Sequence, residues 1–393
     1  MISYDFDSYC CGCGACGTIC PVNAISMEQD DNGFTYPHVN TDKCIECNMC
    51  VNVCPHINAQ SHVISAEQKR KVSTNLYSSK QSICKEKSSS GGAFYEMAVS
   101  IIQEEGCVCG CAWDDNLIAK HIMVDNLKDL QRLQGSKYVQ SVVDSSLYTM
   151  IIDRLKAGRK VLFSGTPCQC EAVSLYVKNK NEKLLKNIFT VAVICHGVSA
   201  PIVWESFKKW IQKKENDILV DVNFRDKSKE GYKKSYCCYK FKNKTVYLPT
   251  YLPSSPYIEA TLVYNLALRK SCVNCDCKGY LDNIDVIIGD HYAANKGEGE
   301  YGTSCVLGIS EKGRNLCEHS LFNCRYIELL QIEKANPLML RSIRKSNNRD
   351  SFLRDLHNIG TSIWDNIERY YPSKYKLKKI ICKLGVYDIL KKL

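Results

Sequence analysis

Two stretches, Cys10–Pro21 (CCGCGACGTICP) and Cys44–Pro55 (CIECNMCVNVCP), repeat one pattern near the start of a 393-residue chain. Cys10, Cys13, Cys16 and Cys20 are spaced C-x2-C-x2-C-x3-C, and Pro21 follows. Cys44, Cys47, Cys50 and Cys54 copy the spacing, and Pro55 follows. This is the run that ligates two [4Fe–4S] cubanes. Three thiolates two residues apart wrap one cubane corner by corner. The fourth, ahead of a chain-turning proline, points the other way and reaches the second cubane. The expectation is therefore crossed: Cys10, Cys13, Cys16 and Cys54 hold one cluster, and Cys44, Cys47, Cys50 and Cys20 the other. Zinc ribbons use pairs of C-x2-C instead of runs of four, each closed by proline. Gly12, Gly14 and Gly17 leave room for backbone N–H groups to approach sulfur, which tunes cluster potential. Cys11 is out of register and reads as a spare thiol, or less readily as a substitute ligand.

Beyond this pattern, the residues of this unit resemble the bacterial two-cluster ferredoxins over about 50 positions, which implies their small pseudo-twofold fold. The rest of the chain agrees with a redox setting. There are 25 cysteines, and the opening MISYDFDSYCCGCG has neither the basic nor the apolar region of a secretory signal. A cytoplasmic location with reduced thiols is expected, so clustered cysteines mean metal or redox chemistry. The net charge of +10 reads as a solvated basic surface with pockets for anionic cofactors, and its field steers an acidic redox partner. No basic stripe interleaved with aromatics is present, which argues against nucleic acid. No apolar run reaches the roughly 18 residues of a membrane span.

The organisation expected is an α+β ferredoxin-like domain (1–60), a polar linker (61–83), a larger α/β domain with a mixed sheet (84–330), and a basic helical tail (331–393). Within the larger domain, Ala93–Gln103 reads as a helix, Cys107–Trp113 as a strand, and 127–133 and 146–155 as helices. Lys160–Phe163, Phe189–Ile194 and Asn283–Gly289 read as buried strands, and 218–252 as antiparallel hairpins. In 374–393, Leu377, Ile381, Leu384 and Leu390 share a face, which suits either packing on the body or peripheral contact with a membrane surface.

Seven short motifs punctuate the larger domain: SSSGG (88–92), GSKYVQS (135–141), GTPCQ (165–169), ICHG (194–197), FRDKS (224–228), the pair Cys272/Cys275, and IGD (288–290). In order and spacing they resemble the beta-subunit family of coenzyme F420 hydrogenases and dehydrogenases over roughly residues 84–325. The resemblance implies a flavin-binding body with FAD, a cluster of its own, and two-electron exchange with a small organic acceptor, F420 in some members. SSSGG before a helix suits an anion cradle of Ser89, Ser90, Gly91 and Gly92. Lys137 and Arg225 are candidate contacts to a flavin pyrophosphate or an acidic substrate. Tyr138 is a candidate for ring stacking, and Thr166 of GTPCQ a further cofactor contact. Cys168, Cys195, Cys272 and Cys275 are expected to hold the third [4Fe–4S] cluster, with Cys170 and Cys277 close by. Cys107, Cys109 and Cys111 alternate on a strand and read as packing. His196 is the candidate proton donor. The chain departs from the family at His291–Tyr292, where an aromatic pair is usual, and no arginine stands in 280–283, so the family's acceptor is not carried over to these positions. The partner expected is a ferredoxin or a larger oxidoreductase. The alternative is a non-catalytic electron-transfer subunit.

Overall fold

The structure is a computed structural model that describes residues 1–250, 255–291 and 301–373. Thirteen strands are found among the described residues: β1 (Ile25–Gln29), β2 (Thr35–Val39), β3 (Ser73–Tyr77), β4 (Cys107–Trp113), β5 (Ala119–Val124), β6 (Val161–Gly165), β7 (Ile188–Val193), β8 (Leu219–Asp226), β9 (Tyr236–Phe241), β10 (Thr245–Pro249), β11 (Val286–Asp290), β12 (Ser304–Gly308) and β13 (Arg325–Tyr326). They form three sheets. β1 and β2 make an antiparallel ribbon between the two cysteine runs. β8–β10 make an antiparallel three-stranded sheet. The main sheet runs β13-β3-β12-β11-β7-β6-β4-β5.

The main sheet is mixed for a reason visible in its strands. β4, β6, β7 and β11 are mutually parallel. Their runs CVCGCAW, VLFSG, IFTVAV and VIIGD are nearly continuous in buried residues, as strands covered on both faces must be. The two faces alternate along each strand. Cys107, Cys109, Val161, Phe163, Ile188 and Ile287 pack toward the helices Ser145–Lys156 and Pro167–Asn181. Val108, Leu162, Phe189, Val191 and Ile288 pack toward Ala93–Gln103 and Glu311–Ser320. β5, β12, β3 and β13 extend the sheet antiparallel at its two sides.

Two expectations about boundaries change. The polar stretch 61–83 is not a linker: it carries β3, which pairs with β12 and β13 inside the main sheet. Nor does the cysteine-run unit have a core to itself. Ile2, Ala15, Ile19, Val53 and Ala59 belong to the same apolar cluster as Tyr148, Ile151, Val173 and Leu175 of the body helices. The described part of the tail packs on the β8–β10 lobe. There Trp204, Phe207 and Trp210 of the helix Pro201–Glu215 meet Phe352 and Trp364, and Trp210 Nε1 donates to Asp365 Oδ1 at 2.8 Å. The expected amphipathic helix at 374–393 lies outside the described residues.

Candidate functional site

In the cysteine-run unit each helix that carries the middle ligands starts from a left-handed residue, Gly14 (φ 78°) and Asn48 (φ 57°). That conformation turns the loop sharply, so that Cys13 and Cys16 face one side. Cys10, Cys13, Cys16 and Cys54 are all buried. The Cys16 thiol is pushed well up by burial and by the neighbouring Cys10 and Cys54. The Cys54 thiol is likewise pushed up by burial. Buried thiols crowded this way ionise only against a compensating cation, and an iron cubane would supply that charge. Cys20, Cys44, Cys47 and Cys50 line one small cavity of their own, with Cys47 exposed. Cys10, Cys54 and Cys50 thus lie near Cys16, and Cys20, Cys44, Cys47 and Cys50 share one cavity lining. Backbone N–H groups already point at sulfur: Gly12 N to Cys10 Sγ at 3.3 Å, Ala24 N to Cys20 Sγ at 3.2 Å, and Ile2 N to Cys50 Sγ at 3.3 Å. The Tyr4 hydroxyl lies 3.4 Å from Cys54 Sγ.

The unit faces the body through its first run. Arg269, fully buried, donates from Nε to Cys10 O (2.6 Å) and from Nη2 to Thr35 O (2.8 Å). The Tyr148 hydroxyl donates to Cys13 O at 3.0 Å. His56 Nδ1 meets Asp276 Oδ2 at 2.6 Å. Cys11, the out-of-register thiol, lies close to Cys13 and Cys168, and its pKa is pushed well up, first by Cys13.

Beyond this junction lies a cavity of about 960 Å³ at the C-terminal ends of β4, β6, β7 and β11, where open α/β sheets place their ligands. One end is lined by Cys168, Cys195, Cys272 and Cys275. Their thiols sense one another: Cys272 is pushed up by burial, then by Cys195, Cys168 and Cys275, and Cys195 is pushed up to about 12 by burial, with Cys168 and Cys275 adding to the rise. Cys275 is the exception, drawn down to about 7 by its hydrogen bond from Cys277, with Lys278 helping. Cys170 is a core residue, fully buried. The donor set suits an iron–sulfur cluster: four thiols from three segments, one already acidic.

The other end of the cavity joins three motifs. Ser136 N donates to Ser89 Oγ at 2.7 Å, which ties GSKYVQS to SSSGG. Lys227, buried, donates to Ser90 O at 3.2 Å, which ties FRDKS to the same turn; burial draws this lysine down to about 8. Gly92 (φ 88°) opens the helix Ala93–Gln103, and a Cβ there would meet Cys84 Sγ at 2.3 Å. Ser89, Ser90, Gly92, Lys137, Tyr138, Thr166, Arg225 and His196 all line the cavity.

Several expected contacts are differently employed. Gly91 lies outside the lining and is wedged against the main sheet, where a Cβ would stand 2.1 Å from Tyr77 O. Lys137 Nζ donates to Arg132 O (3.1 Å) and Gln134 O (2.7 Å), holding its own turn, and burial draws it down to about 8. Arg225 Nη1 pairs with Asp290 Oδ2 at 3.0 Å and donates to the Tyr138 hydroxyl at 3.3 Å. The Tyr138 ring packs on Phe224, with centroids 5.7 Å apart. Thr166 caps the helix Pro167–Asn181, its backbone N–H donating to Gln169 Oε1 at 3.0 Å. His196 Nε2 bonds to Asn265 Oδ1 at 2.7 Å, and burial draws its pKa down. Lys227 and Asp290 sit inside motifs read from sequence, beside the residues singled out there. His121 and Gln134 carry no motif signal, because only the fold brings them to the cavity wall.

Fold and site together define a dicluster electron-transfer unit built onto an α/β body with a cofactor-sized cavity. Residues 9–58 match the 4Fe-4S dicluster domain. Residues 158–335 match the family described as the C terminus of the coenzyme F420 hydrogenase/dehydrogenase beta subunit. This region of the chain is thus similar to that family, and the dicluster match lies on its N-terminal side. No curated protein matches. Among solved structures, the chain is similar to one in the xenon-derivatised F420-reducing [NiFe] hydrogenase complex from Methanosarcina barkeri, at 16% identity over 74% of this chain and 92% of that chain, with a TM-score of 0.46. No helix among the described residues is long and apolar enough to cross a membrane.

Proposed function

We propose that the chain is an iron–sulfur flavoprotein oxidoreductase that passes electrons between the dicluster unit and a small organic acceptor, F420-type or other. Cys10, Cys13, Cys16 and Cys54 would hold one [4Fe–4S] cluster, Cys20, Cys44, Cys47 and Cys50 the second, and Cys168, Cys195, Cys272 and Cys275 a third. FAD would occupy the cavity with a phosphate at Ser89, Ser90 and Gly92. Bound, the clusters supply one-electron transfer, and the flavin converts it to two-electron exchange.

The observation that carries this reading is the single cavity whose lining runs from the four body cysteines to the SSSGG turn. The chain's own residues have definite tasks in it. Lys227 and Ser136 hold the turn that would receive phosphate. Asn265 accepts from His196 Nε2, which fixes the tautomer and orients the ring at the mouth of β7. The Arg225–Asp290 pair sets a fixed dipole in the cavity lining, where an acceptor would meet it.

The test is anaerobic purification followed by flavin and iron analysis, then reduction of free acceptors by the isolated chain with dithionite as donor. Bound flavin together with acceptor reduction supports the enzyme. One observation favours the second reading, a subunit that works only within a larger redox complex: Phe322 and Tyr326, each 74% exposed, and Leu330, 55% exposed, lie at or next to the outer strand of the main sheet. Exposed apolar groups of this size mark contact surfaces. Flavin that is bleached by dithionite, with no turnover of any free acceptor, selects that reading.

A further inference from the structure

We propose that the second cysteine run carries the outer electron port of the chain, and that the surface around it docks a small acidic one-electron carrier protein. The inference rests on the two ferredoxin-type clusters of the reading above and deepens it; it does not depend on the flavin.

The two runs stand in different surroundings. Cys10, Cys13, Cys16 and Cys54 are buried. Their run is fastened to the body by Arg269 Nε on Cys10 O and by the Tyr148 hydroxyl on Cys13 O. Cys11 and Pro55, each next to a ligand of that first four, line the large cavity together with the body cysteines. A cluster held there faces inward. None of Cys20, Cys44, Cys47 and Cys50 lines that cavity. Cys47 is exposed, and Cys20 and Cys44 are half-buried. Electron transfer falls off steeply with distance, so the second cluster is the one a partner reaches and the first is the relay to the body.

The surface at the second run is apolar at its centre. Met1, Val22 and Ile45 line the small cavity with these four cysteines, yet are 40%, 36% and 60% exposed. Large apolar side chains gathered at one exposed place mark a contact site. Asp42, Lys43 and Glu46, all exposed, flank Ile45 and leave one net negative charge beside it. Basic charge stands at one side and outweighs it. Asn179 Nδ2 donates to Asn52 O at 3.4 Å, which sets the end of the helix Pro167–Asn181 against the helix Met49–Asn52 of the second run. Exposed Lys178, Lys180, Lys183 and Lys186 lie at and just beyond that end, against one exposed acid, Glu182. The face as a whole is positive, and the net charge of +10 adds long-range attraction for an acidic partner.

The chemistry selects the occupant. A cubane exchanges single electrons, so the partner is a one-electron carrier. A few apolar side chains beside a charged rim suit the small contacts of electron-transfer encounters, whereas a permanent subunit buries a larger and more apolar surface. In the step the carrier loses one electron and the outer cubane gains it, or the reverse; no bond forms or breaks.

The experiment is stopped-flow mixing of the anaerobic, cluster-loaded full chain with flavodoxin hydroquinone, an acidic one-electron carrier whose blue semiquinone appears as it gives up its electron. The carrier is kept below saturation, where the second-order rate constant carries the docking affinity. The wild-type rate constant is expected to fall as salt is raised. Ile45→Ser is expected to lower it by about 5- to 30-fold, the range of a truncated contact residue. Lys180→Glu with Lys183→Glu is expected to lower it and to flatten its salt dependence. Ile218→Ser removes an apolar side chain of similar exposure on the β8–β10 lobe and is expected to match wild type. Dithionite, which needs no docking face, is expected to bleach wild type and Ile45→Ser at equal rates, with equal iron content. Should Ile45→Ser lose iron, the lysine pair, which adjoins no ligand in sequence, decides the matter. Wild-type rates in both variants, an equal loss in Ile218→Ser, or no semiquinone from wild type each overturn the inference, and a rate indifferent to salt overturns the acidic partner. A chain without iron is recognised before any mixing and overturns the cluster reading as well.

Discussion

At Gly91 the backbones of two strands leave no space for a side chain: a Cβ would stand 2.1 Å from Tyr77 O in β3 and 2.6 Å from Ser304 N in β12. Gly91→Ala is expected to lower stability by about 1–3 kcal/mol through forced backbone movement. A urea midpoint equal to wild type would contradict this. His121 gives a pH prediction. Its pKa is pushed down to about 4 from the usual 6.5 by burial. The unfolded chain takes up a proton near pH 6.5 that the folded chain refuses until about 4, so in that window the unfolded state binds more protons and stability falls as pH falls. The contribution is complete above 6.5 and is lost toward 4. Denaturant midpoints taken at about pH 7.5 and about pH 5.5 are expected to drop further for wild type than for His121→Phe; equal drops would show that His121 does not titrate this way. Neither residue announces its role in sequence. Gly91 was legible as part of a glycine-rich turn, yet its reason is close packing against two strands, one of them far along the chain.

Elements divide by how local their signals are. The runs VLF, FTVAV and IDVII were legible as buried strands because parallel strands covered on both faces must be apolar throughout. The helix Ala93–Gln103 was legible because it starts at a glycine and keeps one apolar face. β3 escaped because STNLY is polar by composition; it becomes a strand through pairing with β12, a partner far along the chain. The body cysteines were legible only in part: strand ends and a C-x2-C nominate them, but only folding brings thiols from separate segments, and Cys11 with them, to one end of a cavity. The segment before Cys272 supplies the strongest junction. Arg269 serves Cys10 O and Thr35 O and lies over the Phe34 and Tyr36 rings, 4.9 and 4.5 Å from their centroids. Arg269→Met would leave two carbonyls unmet, at about 1–3 kcal/mol each. The expected result is a lower denaturant midpoint and earlier proteolytic release of the cysteine-run unit; an unaltered cleavage pattern and midpoint would place the junction's strength elsewhere.

At the scale of the molecule, one apolar cluster spans the cysteine-run unit and the helices that cover the main sheet. The sequence announced the unit's chemistry through spacing alone, because cubane ligation is a local geometric demand. It did not announce that the unit shares its core with the body, because that depends on which faces meet. The crossed ligand sets make a separable prediction: Cys13→Ala and Cys47→Ala each cost about four irons per chain, from different clusters with different magnetic spectra. Iron, acid-labile sulfide and flavin content of the anaerobically purified full chain is the decisive measurement. Three cubanes and one bound flavin require about twelve irons, a matching amount of sulfide and one FAD per chain. Colourless protein, with zinc or disulfides at Cys10–Cys54 and no flavin, would contradict it.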